Sequence, residues 1–129
     1  MHLSPQHRTL LTLNATVLLT HQIDAAYWHE WEMFRIPGGN QVNLLLNLPI
    51  VAFVLWVQAQ VAAESRRART LYLCVAALGG LTVVIHGGFM AMGHAAFVQP
   101  TSIGLLVATL LLSLGQGWAL WGRGRPRSW

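Results

Sequence analysis

The sequence predicts an all-α, polytopic membrane protein: an antiparallel up-and-down bundle of four transmembrane helices forming a single domain over residues 1–129. Three observations predict it. Hydrophobic residues make up 54% of the chain and charged residues only 9%, where a soluble domain carries about 25% charged residues. Four apolar runs, each of about the 20 residues that a bilayer core requires, are joined by short connections, which favours antiparallel sequence neighbours. The eight basic residues are all arginine and cluster beside these runs, a pattern of topology and lipid head-group contact.

The helices are expected over about residues 9–35, 41–63, 70–95 and 100–121. The first ends at Pro37-Gly38-Gly39, a strong stop signal. The second contains Pro49, which removes a backbone bond to Leu45. The fourth opens on Pro100, a favourable first-turn residue. Arg8, the Arg66-Arg67-Ala68-Arg69 loop and the tail arginines Arg123, Arg125 and Arg127 fall on one side of this arrangement, and only Arg35 on the other. Both termini are therefore expected in the cytoplasm. Tyr27, Trp28 and Trp31 would form an outer aromatic belt, and Trp118, Trp121 and Trp129 an inner one. A cleavable signal peptide is not expected, because the first apolar run leads into His21, Asp24 and bulky aromatics instead of small residues.

Composition also excludes some functions. No interleaving of basic and aromatic residues suggests a nucleic-acid surface. Cys74 stands alone, so neither an intrachain disulfide nor a cysteine-based metal site is available. The lipid bilayer is the expected partner, and a homo-oligomer is plausible for so small a set of spans.

The densest chemistry lies between His21 and Phe34, which holds three of the four acidic residues, two of the six histidines and two of the six tryptophans. At a rise of about 1.5 Å per residue, His21 lies roughly 18 Å along the first helix, Asp24 roughly 22 Å along it, and His86 roughly 24 Å along the third. Asn43 and Asn47 descend from the same side on the second helix, and Thr109 sits near mid-depth on the fourth. Helical phase groups Asn14, His21, Asp24, Trp28, Glu32 and Arg35 on one face. Asn40, Asn43 and Asn47 share another, as do Ser102, Thr109, Ser113 and Gln116. Polar stripes on several spans describe a bundle with a polar interior. The expected pocket is lined by His21, Asp24, His86, Asn43, Asn47, Trp28 and Thr109, with His94 either an interface residue or at the pocket's mouth.

Several readings of this pocket stay open. His21 and Asp24, an i, i+3 pair, could converge with His86 on a divalent metal ion such as zinc, iron or manganese. Asp24 would then be the candidate catalytic residue of a membrane metallohydrolase, because a bound metal activates water. Alternatively the same groups form a buried hydrogen-bonded pair that sets helix register, or handle protons or a small molecule. Haem held between His21 and His86 is a further alternative. His29-Glu30 resembles the start of the H-E-x-x-H zinc motif, but Met33 stands where the second histidine belongs. His29 and Glu30 are read as solvated interface residues, and Glu32 with Arg35 as a pair closing the helix.

The segment carrying His21, Ile23, Asp24, Ala26, Tyr27, Trp28, Glu30, Trp31, Glu32 and Phe34, followed by Pro37-Gly38-Gly39, resembles a family of small bacterial integral membrane proteins of unknown function. The resemblance implies a bacterial inner-membrane location and supplies no activity. A looser similarity, of chemistry alone, links the histidines to membrane hydrolases of the alkaline ceramidase and adiponectin-receptor group, whose fold has more helices.

Overall fold

The computed structural model describes residues 3–94 and 98–121. The chain forms α1 (Pro5–Tyr27), α2 (Glu30–Met33), α3 (Gly39–Ala62), α4 (Ala68–Ala91) and α5 (Pro100–Trp121). No strand occurs among the described residues. Trp129, the tail arginines Arg123, Arg125 and Arg127, and Ala95 at the expected end of the third helix lie outside the described residues.

Among the described residues five helices replace the expected four, because the first is divided. α1 starts earlier than its apolar run suggests. Ser4 precedes Pro5, and the Ser4 N–H and hydroxyl both lie within hydrogen-bond reach of His7 Nδ1, at 3.1 and 2.6 Å. That cap ties down the first turn. With Nδ1 accepting, His7 Nε2–H is free to donate to the Ala119 carbonyl at 3.2 Å, which joins the start of α1 to the end of α5. At the other end, His29 takes a left-handed conformation (φ 53°). The helix stops at Tyr27, and a single further turn, α2, sets off in a new direction. Arg35 (φ 53°), Gly38 (φ 104°) and Gly39 (φ 57°) then turn the chain into α3.

Cross-helix contacts define the topology. Asn14 reaches Ser113 and Gln116 while Asp24 reaches Ser102, so α1 and α5 run antiparallel. Arg8 pairs with Glu64 and Thr12 faces Gln58, so α1 and α3 are antiparallel too. His7 meets Tyr72 and His21 meets His86, so α1 and α4 run parallel. The four long helices form an up-and-down bundle, with α2 lying against α1 and α3.

The interior is graded along its length. Leu3, Leu11, Leu18, Val57, Val61, Leu71, Tyr72, Val75 and Leu120 form an apolar core, most of it in the half nearest the start of α1. Midway, Asn14 Nδ2 donates to Ser113 Oγ at 3.1 Å and also to Gln116 Oε1. Gly79 makes this layer possible, since a Cβ there would run into Ser113 Oγ and come within 3.1 Å of Thr109 Cγ2. Beyond it, His21, Asn43, His86 and Ser102 are all buried.

The outer surface is the reverse of a soluble protein's. Leu44, Leu45, Leu48, Val84, Leu111, Leu114 and Trp118 are exposed, forming apolar flanks of the kind that lipid covers. Among the described residues three helices, α3, α4 and α5, are long and apolar enough to cross a membrane. The sequence reading expected a fourth. α1 has the length but carries Arg8, His21, Asp24 and several threonines along its 23 residues.

Candidate functional site

The break at His29 determines what the polar end of the bundle contains. On a continuous helix Glu30 would point away from Asp24. With α2 redirected, the Glu30 side chain is 16% exposed and its Oε1 lies 3.3 Å from His86 Nε2. His86 comes from the far end of α4, where its Nδ1 lies 2.8 Å from the Thr82 carbonyl oxygen. A carbonyl can only accept, so the Nδ1 proton is committed to Thr82. Nε2 then faces the Glu30 carboxyl at ion-pair distance, a contact that is attractive when the imidazole is protonated.

His21 packs against this pair. Its ring meets that of His86 edge to face, with centroids 4.5 Å apart and planes at 84°, and it is 1% exposed. One turn further on, Asp24 Oδ1 accepts a hydrogen bond from Ser102 Oγ at 3.1 Å. Its Oδ2 is buried without a protein hydrogen-bond partner, and so is Trp28 Nε1. On α3, Asn47 Nδ2 donates to the Asn43 carbonyl and to Asn43 Oδ1, both at 3.0 Å. Asn43 Nδ2 and Asn47 Oδ1 are left buried without a protein partner. Thr109 is fully buried beside Gly79, in the middle layer.

The expected site residues thus divide. His21 and His86 are in direct contact, and Asp24 stands on the same helix face, bonded to α5. Asn43 and Trp28 present buried polar atoms, whereas Thr109 belongs with Asn14 and Ser113. His94 is exposed and lies edge-on to Phe89, at 5.3 Å between centroids. Phe89 in turn meets Phe34 at 5.2 Å. His94 therefore sits at the exposed end of a row of edge-on aromatic contacts, in keeping with its reading as an interface residue.

Two further expectations change, those for Glu30 and for Glu32. Glu30, expected at the interface, is instead the partner of a buried histidine. Only the left-handed residue before it brings it inward, and although histidine enters that conformation more often than most residues, no glycine or asparagine marks the position. His29 stays exposed, as expected, stacking on Trp31 at 4.8 Å with Nδ1 3.5 Å from Glu32 Oε1. Glu32 therefore faces His29, in place of the expected pairing with Arg35.

The metal reading fares less well. Among the described residues no three His, Cys, Asp or Glu side chains converge as a metal-ligand group. In the expected set of His21, Asp24 and His86, the His86 nitrogens face Thr82 and Glu30 while Asp24 turns to Ser102. Haem fits no better. The two rings touch, and they would have to part to admit a porphyrin between them.

Fold and site together define an all-α protein with three helices able to cross a membrane and a histidine–carboxylate cluster buried at one end of its bundle. The chain belongs to a family of unknown function (DUF6713), whose model matches residues 7–123. No curated protein and no solved structure matches it.

Proposed function

We propose that this protein resides in a lipid bilayer, with all four long helices crossing it, and binds and releases a proton at the Glu30–His86–His21 cluster. The carrying observation is the 3.3 Å approach of Glu30 Oε1 to a histidine whose other nitrogen already faces a carbonyl. A carboxyl and an imidazole this close attract one another when the imidazole is protonated, and low surrounding dielectric strengthens that attraction. His21, in ring contact with His86, is the next group able to take the proton. Ionisable groups inside a membrane bundle mark ion or proton handling more often than architecture. The distribution of arginines supports a bacterial inner-membrane orientation with both termini in the cytoplasm.

The test is nitrogen-15 NMR of histidine-labelled protein in lipid nanodiscs across pH, for wild type and Glu30→Gln. In wild type the His86 resonances are expected to follow a coupled, two-step titration that collapses to one step in Glu30→Gln. A His86 titration unchanged by Glu30→Gln would overturn the proposal. Stoichiometric zinc, iron or manganese in the purified protein would do the same, returning the site to metal chemistry. A cytoplasmic reporter that is active when fused after Gly39 would reverse the orientation.

A further inference from the structure

At the end of the bundle away from the histidines, a cavity of about 310 Å³ opens between Leu3, the end of α3 and the start of α4. Leu3 and Val61 form its apolar wall, and Glu64, Ser65, Arg66 and Arg69 its polar one. Glu64 is ion-paired with Arg8, so the charge left facing the cavity comes from the two arginines. Ser65 Oγ is buried and has no hydrogen-bond partner in the protein. Ala68 N–H bonds to the Ser65 carbonyl and Leu71 N–H to that of Arg67, while the intervening first-turn N–H groups have no helical acceptor.

We infer that this cavity binds the phosphate of an anionic lipid head group. Two exposed arginines, a hydroxyl without a protein partner and the positive end of a 24-residue helix border one recess, a combination suited to a phosphate oxyanion. The Leu3–Val61 wall gives the glycerol end an apolar surface, which free phosphate would not use. The recess opens at a helix end, where a membrane-spanning bundle meets the head-group layer. The arginines that fall on one side of the sequence thereby divide into two kinds. Arg66 and Arg69 line the recess, and Arg67, between them in the chain, does not.

The experiment purifies the full chain, strips it of lipid and re-equilibrates it with mixed phosphatidylglycerol and phosphatidylcholine vesicles, and the retained lipid is then counted by native mass spectrometry. Wild type is expected to retain phosphatidylglycerol several-fold over phosphatidylcholine. The paired change Arg66→Gln, Arg69→Gln is expected to bring that ratio near one, and Arg67→Gln to leave it unchanged. Ser65→Ala, which keeps every charge, is expected to weaken the preference without altering the melting temperature, so the idea remains testable if the double variant does not fold. Equal retention of both lipids by wild type would overturn the site. Equal loss in Arg67→Gln would replace it with diffuse electrostatics. Inorganic phosphate that binds as tightly as the lipid and displaces it would make the ligand free phosphate, and the lipid assignment would fall.

Discussion

Glu30 and His86 meet, Oε1 to Nε2 at 3.3 Å, because the chain turns left-handed at His29 immediately before Glu30. A local backbone choice thereby controls the chemistry at the buried end of the bundle. Removing the carboxyl leaves His86, whose side chain is 4% exposed, without that contact. Glu30→Ala is expected to cost about 1–3 kcal/mol. Glu30→Gln should cost less, since an amide can still face Nε2. Thermal unfolding in detergent measures both, and a Glu30→Ala curve superimposed on wild type would show that the contact contributes nothing.

The left-handed conformation of His29 can be tested directly. For a residue with a Cβ it costs roughly 1–2 kcal/mol, a cost that glycine does not incur. His29→Gly should therefore hold or raise the melting temperature despite losing the contacts to Trp31 and Glu32. His29→Val should lower it and alter the His86 resonances, because the turn that delivers Glu30 is disfavoured. Identical His86 spectra in His29→Val would detach the turn from the site.

Neighbouring glycines on α4 should behave oppositely. A Cβ at Gly79 collides with Ser113 and crowds Thr109, whereas one at Gly80 meets nothing within 4 Å. Gly79→Ala is expected to destabilise by about 1–3 kcal/mol through overpacking. Gly80→Ala should be neutral or stabilising by up to about 1 kcal/mol, since alanine is the better helix former. Equal melting temperatures for the two variants would contradict the close α4–α5 approach.

The middle polar layer should act as a unit. Asn14 and Gln116 are both fully buried, and Asn14 also holds Ser113. A double-mutant cycle of Asn14→Ala and Gln116→Ala is expected to give a coupling energy of about 0.5–3 kcal/mol, read from chemical denaturation. Strict additivity would mean that the two side chains do not depend on one another.

Much of this architecture is legible in the chain alone. Helical phase groups Ser102, Thr109, Ser113 and Gln116 on α5 with Asn14 and His21 on α1, and all six are buried. Depth counting along α1 and α4 matches His21 to His86, whose rings touch. Both inferences work because α-helical rise and twist are nearly constant. They fail where the helix itself fails. Extending α1 through residue 29 sends Glu30 outward and pairs Glu32 with Arg35, and no proline or glycine marks the interruption. His94 stays between two readings in the sequence for a related reason, since its position depends on how the chain leaves α4 and not on helical phase.

Composition and periodicity by themselves determined the all-helical class, the apolar spans and the faces that turn inward, because burial in a bundle is set by a repeating angle that any window of sequence displays. Only the tertiary structure decided which polar groups are partners. Hydrogen bonds and ion pairs depend on placements of about 3 Å, and at His29 a single backbone rotation moves Glu30 from the membrane interface to the side of His86.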